Sequence, residues 1–194
     1  MKLYLSLAVA AILIGGTVSA QHINVGIKGG LNLFTISNDN GPKYDAKPDF
    51  NVGLLGHIHL AKDLALQPEI VYSGQGAKFG SGSTETKVNL GYINVPLLVQ
   101  YMFDNGFRLQ AGPQIGFLVS AKSKTNNVST DIKNSVKPVD FAIGAGVGYV
   151  HPPSGFGVDA RYNFGLSDIN ENSPIKSMNR GAQLGVFYLF NHKN

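Results

Sequence analysis

His57, His59 and Glu69 put two imidazoles and a carboxylate into one short stretch, and Ser73 follows four residues after Glu69. A Ser, a His and an acid together are what nucleophilic ester hydrolysis needs: the His takes the hydroxyl proton and the acid orients the His. Ser120 offers a second hydroxyl. His57 and His59 also have the spacing of two metal ligands on one face of a strand, yet no third ligand is evident and the chain has no cysteine. Gly144-Ala145-Gly146-Val147-Gly148 has the glycine density of a phosphate-binding loop. It lacks the Lys-Ser/Thr pair and the following helix that such a loop requires.

Whether any of these residues meet depends on the elements that carry them. From His22 to Leu33 the odd positions are Ile23, Val25, Ile27, Gly29, Leu31 and Leu33, and the even ones are polar or small. Strict period-two alternation predicts a strand with one apolar face. The same pattern recurs from Phe50, Leu64, Ile93, Phe107, Val139, Phe156 and Ala182, giving eight strands in all. The connections alternate long and short. Thr35–Asp49, Ala77–Lys87, Ala121–Pro138 and Ser167–Arg180 are long, whereas 61–63, 104–106 and 151–155 are tight and rich in turn formers. Short turns at one end and long loops at the other are the signature of a transmembrane β-barrel. The predicted fold is all-β, an eight-stranded antiparallel up-and-down transmembrane barrel, with both termini on the short-turn side.

The start of the chain agrees with export. Lys2 precedes an apolar run from Leu3 to Ile14 and then the small residues up to Ala20, so residues 1–20 are expected to be a signal peptide cut between Ala20 and Gln21. Residues 21–194 are then the barrel domain. Without Lys2 they carry 15 basic residues against 12 acidic, too small an excess to argue for nucleic acid. A mean hydropathy of +0.02 and 24 glycines fit a barrel, whose alternating strands average out.

Charge sorts to one face. The apolar face carries none, while the other holds Lys28, Glu69, Arg108, Asp140, Asp159, Arg161, His57 and His59. A Lys or Arg facing lipid at mid-membrane costs about 2–4 kcal/mol, so the charged face is expected to line the lumen. Aromatics gather at the strand ends. Phe50, Tyr72, Tyr92, Phe117, Phe141 and Phe164 fall on the loop side, and Tyr101, Phe103, Phe107, Tyr149, Phe156, Tyr188 and Phe190 on the turn side, as two interfacial belts would. Pro68, Pro96 and Pro113 lie inside strands, where each should mark a bulge or a bend.

Leu66-Gln67-Pro68-Glu69-Ile70-Val71-Tyr72-Ser73-Gly74-Gln75-Gly76-Ala77, Tyr92-Ile93-Asn94-Val95-Pro96-Leu97-Leu98, Ala111-Gly112-Pro113 and Asp159-Ala160-Arg161-Tyr162-Asn163-Phe164-Gly165-Leu166 carry a resemblance. Together they resemble the PorT-type outer-membrane β-barrel family of the Bacteroidota, and the likeness spans the mature chain. It implies an outer-membrane barrel and says little about activity, since most members are known only as barrels and one branch is tied to protein secretion. Four residues, Asn191–Asn194, follow the last aromatic, Phe190, where the family usually ends on an aromatic.

Strand counting then sets the expectations for the candidate residues. The His pair falls toward the turn side, whereas Ser73 and Ser120, both read as inward, fall toward the loop side, so no triad is expected. The glycines of 144–148 read as lumen positions that leave room for long side chains. Lys28, Glu69, Asp159 and Arg161 should share one level and form a charge network that plugs the barrel, with Arg161 reaching toward Glu69. The loops hold 10 of the 15 basic residues against 7 acids, enough to meet lipopolysaccharide phosphates. The expected protein is a monomeric, non-enzymatic outer-membrane barrel without cofactor, in contact with outer-membrane lipids and lipopolysaccharide and with envelope proteins as partners. An outer-membrane lipid acyl hydrolase and a soluble lipocalin-like carrier are the competing readings.

Overall fold

Alternation of apolar with polar or small residues gives each strand two unlike faces, and a sheet with unlike faces is stable in a membrane only when closed. A computed structural model of the chain describes residues 23–39, 41, 43–80, 85–126, 128–172 and 175–190. The expected signal peptide, 1–20, and the four residues after Phe190 lie outside the described residues.

The strands are β1 (Ile23–Asn38), β2 (Asp45–Ala61), β3 (Leu64–Phe79), β4 (Thr86–Met102), β5 (Phe107–Thr125), β6 (Val128–Asp131), β7 (Val139–His151), β8 (Phe156–Gly165) and β9 (Ser177–Leu189). Their order is β4-β3-β2-β1-β9-β8-β7-β5-β6, and β4 also pairs with β5. That pairing closes eight antiparallel strands into an up-and-down barrel. The extra strand, β6, pairs only with the outer end of β5, as Lys122–Asp131 to Thr125–Val128. It forms a hairpin flap on the loop side. Both described ends, Ile23 and Phe190, lie on the short-turn side, where Phe190 N donates to the Val25 carbonyl.

The strands run further toward the loops than the alternation indicates. β1 reaches Asn38 and β2 begins at Asp45, inside the stretch expected to be loop, and Asn38 pairs with Ser177 of β9. Beyond the membrane the outer face meets water while the inner face packs apolar side chains such as Ile36, so the apolar-out, polar-in contrast fades although the ladder continues.

The prolines do not insert bulges. β3–β4 pairing passes from Pro68–Leu97 to Val71–Asn94 in unchanged register, and β4–β5 passes from Pro96–Gln114 to Val99–Ala111 likewise. Each proline sits beside a short gap in the ladder because it has no N–H to give. The register shifts lie elsewhere, at Ala46/Asn51, His59/Ala61 and Gly91/Tyr92.

Outward side chains form the apolar wall, from Ile23, Val25 and Ile27 on β1 to Leu184, Val186 and Tyr188 on β9, these six being at least 38% exposed. Aromatic pairs mark both rims, with Phe50 and Tyr72 5.6 Å apart on the loop side and Tyr188 and Phe190 5.3 Å apart on the turn side. Tyr92 departs from the expected belt. It is fully buried, packed inside the barrel mouth with Ile36, Ala77, Leu90, Leu118, Ala121 and Ile169.

Candidate functional site

The inward positions come from every barrel strand, and alternation decides which they are: even residues of β1, β4 and β7 and of β5 up to Leu118, odd residues of β2, β3, β8 and β9. At mid-height β1 contributes Lys28, β3 Glu69, and β8 both Asp159 and Arg161, each at most 8% exposed. The structure brings all four together. Arg161 Nη2 donates to Glu69 Oε1 at 2.8 Å and Nη1 to Oε2 at 3.1 Å, a two-pronged pairing. Lys28 Nζ lies 3.3 Å from both Glu69 oxygens and 3.0 Å from Asp159 Oδ2. Arg161 Nη2 also reaches Asp159 Oδ2 at 3.3 Å, and Gln67 Nε2 donates to Glu69 Oε1 at 2.7 Å. Two cations face two anions, so the group is neutral as a whole, and its members satisfy one another where water is scarce.

Room for this cluster comes from glycine. A Cβ at Gly144 would stand 3.2 Å from Arg161 Cδ, so the arginine stem lies against bare backbone. The glycines of 144–148 are therefore lumen wall on β7, not a phosphate loop.

Amides continue the packing on the loop side of the charges. Asn32 Nδ2 donates to Ser73 Oγ at 2.9 Å and to the Gly74 carbonyl at 2.8 Å, while Asn51 and Gln183 donate to Asn32 Oδ1 at 2.7 and 3.0 Å. Above them sits the apolar group around Tyr92, capped by Ile169 from the loop between β8 and β9. Toward the turns lie Leu55, Val150, Phe187 and Leu189. Inward apolar residues such as Leu90, Leu118 and Phe187 break strict alternation, and these breaks are the sequence signal that the lumen is closed by hydrophobic packing at both ends.

The hydrolase residues are not assembled. Ser73 pairs across the sheet with Asn51, six residues before His57, which is about 20 Å along the strand. His57 instead stands edge-on to His59, with ring centroids 4.6 Å apart, and its Nδ1 is 3.5 Å from Arg108 Nη1. Ser120, expected to point inward, does not. The register shift beside Tyr92 turns Leu118 and Ala121 into the lumen and leaves Ser120 opposite Gly91, on the outer surface near the Tyr72 hydroxyl. Among the described residues no group of three or more His, Asp or Glu could hold a metal ion.

On the outer wall above the loop-side rim, register makes a second arrangement. Lys78 pairs with Lys87, and Lys87 with Lys124, so three ammonium groups stand side by side on β3, β4 and β5. Lys122 follows on β5 opposite Asn89. Like charges directly opposite one another are unfavourable until an anion joins them. Glu85 lies 3.1 Å from Lys87, while no carboxylate among the described residues comes within 4.0 Å of Lys78, Lys122 or Lys124.

The chain is similar in fold to Ail, the attachment invasion locus protein of Yersinia pestis, at 18% identity and a TM-score of 0.53, covering 86% of this chain and 98% of that one. Neisserial surface protein A is similar at 14% identity and a TM-score of 0.52, covering 88% and 99%. A second Ail structure, in complex with the heparin analogue sucrose octasulfate, matches at 17% identity and a TM-score of 0.53, covering 87% and 99%. No curated protein matches the chain. The sequence model for the outer membrane protein beta-barrel domain matches residues 19–171, and the chain belongs to that family of outer-membrane barrels.

Proposed function

We propose that this is a monomeric, non-enzymatic barrel of the PorT-type branch found in Bacteroidota, exported by the residue 1–20 signal peptide. Its short turns and termini face the periplasm, and it acts through its loop end, touching lipopolysaccharide and envelope proteins there. The observation that carries the reading is the filled lumen: four buried charges bonded to one another, amides above them and apolar side chains at both ends leave the outer surface as the working part. The distance between His57 and Ser73 weighs against acyl hydrolysis. An outward apolar wall with charge inside weighs against a soluble carrier of lipocalin type, which needs the reverse.

The lysine row supports lipopolysaccharide as the lipid partner. Lys78 lies six residues beyond Tyr72 of the loop-side belt, about 20 Å along a tilted strand, at the height of headgroups and core sugars. Phosphates there would relieve the mutual repulsion of Lys78, Lys87 and Lys124. A polyanion, sucrose octasulfate, is also what the similar barrel Ail is seen with.

The test is titration of the detergent-solubilised barrel with lipopolysaccharide. Binding should weaken several-fold when Lys78, Lys87 and Lys124 are all changed to Gln, and should fall as salt rises. Equal binding by the triple variant would refute the lipid contact. Release of fatty acid by the pure barrel, lost on changing His57 and His59 to Ala, would overturn the non-enzymatic reading.

A further inference from the structure

Among the described residues, the buried lumen cations Lys28, Lys47 and Arg161 each have a carboxylate within 4.0 Å. Arg108 of β5, only 5% exposed, has none. Its contacts both come from Nη1 and both are long, 3.4 Å to Gln100 Oε1 and 3.5 Å to His57 Nδ1. A guanidinium has five N–H donors in a planar fork, so most of its donor capacity is not spent on the protein. A buried cation in that condition is costly unless an anion meets it.

There is space for one. Arg108 lines a cavity of about 220 Å³ at the turn-side mouth, together with His59, Lys62, Asp63 and Asp104. The acids do not cancel its charge. Asp104 is paired with Lys62 at 3.6 Å, both more than 80% exposed, and the Asp63 carboxylate stays beyond 4.0 Å of the guanidinium. The rim is thus a solvated ion pair and one further acid, while the floor is a cation with an imidazole beside it.

We propose that the turn-side mouth is an oxyanion site in which Arg108 holds a phosphate group through its free N–H fork, with His59 also lining the mouth. A phosphate oxygen pair matches the fork geometry as a point acceptor cannot. The phosphate comes either as the free ion or as the headgroup of a phospholipid at the membrane edge. This site is at the opposite end from the lysine row and depends only on the fold.

The experiment measures the unfolding midpoint of the barrel in non-ionic detergent and phosphate-free buffer, as inorganic phosphate or an equal ionic strength of chloride is added. Phosphate should raise the midpoint saturably where chloride does not, because a ligand that binds only the folded state stabilises it. Arg108→Gln should abolish the response, and Lys43→Gln, at the loop end and outside the cavity, should keep it. A phosphate response equal to chloride, or an undiminished response in Arg108→Gln, would overturn the site. Should Arg108→Gln fail to fold, Arg108→Lys keeps the charge and loses the fork, so its response should be weaker by about tenfold, the factor that 1.4 kcal/mol represents; an unchanged one overturns the proposal. Phosphatidylglycerol added to the same micelles then assigns the source: competition with phosphate marks the lipid headgroup, and no competition marks the free ion.

Discussion

Arg161 on β8 grips Glu69 on β3 across the barrel, with Nη2–Oε1 at 2.8 Å and Nη1–Oε2 at 3.1 Å. Breaking a buried ion pair from one side leaves the partner charge unpaired and typically costs about 3–5 kcal/mol. Glu69→Gln is therefore expected to lower stability by that order in urea unfolding of the detergent-solubilised barrel. Glu85→Gln removes only the half-exposed contact with Lys87 and should cost less than about 1 kcal/mol.

The register shift beside Tyr92 makes a prediction about two neighbouring residues. Ser120→Cys places a thiol on the outer surface and should react rapidly with a maleimide in folded protein. Ala121→Cys places it in the closed apolar group at the mouth and should react only after unfolding. Reversed labelling would show that β5 carries no shift at that point.

Much of the barrel and of its central cluster was legible because both rest on period two. One apolar face per strand, short turns opposite long loops, and charges confined to the other face fix which residues face inward. Strand counting then brings Lys28, Glu69, Asp159 and Arg161 to one height. What alternation could not carry is whatever breaks it. The shift near Val119 moved Ser120 outside, and Tyr92 reads as a belt aromatic by its place near a strand end although its parity is inward. The prolines suggested bulges, yet a ladder can skip a bond and keep its register. The lysine row was invisible for a different reason: register between strands, not spacing along one, aligns Lys78, Lys87 and Lys124.

Asp168 is expected to make the loop end sensitive to acid. Its Oδ1 accepts backbone N–H bonds from Ser177 at 3.0 Å and Asn170 at 3.1 Å, and Lys137 Nζ donates to Oδ2 at 3.0 Å. The Ser177 N–H first, then that of Asn170 and the Lys137 ammonium, hold its carboxyl below the ordinary value of 3.8. A depressed folded-state value means the bonds stabilise the loop fully above pH 3.8 and are lost as pH falls through the folded value. Limited proteolysis between β8 and β9 should accordingly be slow at neutral pH and faster in acid. Asp168→Asn should make it faster at neutral pH as well, and cleavage indifferent to both changes would show that Asp168 does not hold the loop.

A closed lumen is the central feature of this barrel. Eight strands enclose a space just wide enough for side chains to fill, and here the charge network, the amides and the two apolar groups fill it. Single-channel recording of the pure barrel in planar bilayers is the direct measurement. A closed lumen predicts a baseline without sustained openings for the native protein, and brief openings at most when Glu69 and Arg161 are both changed to Ala. Long-lived, large conductance steps from the native protein would contradict it.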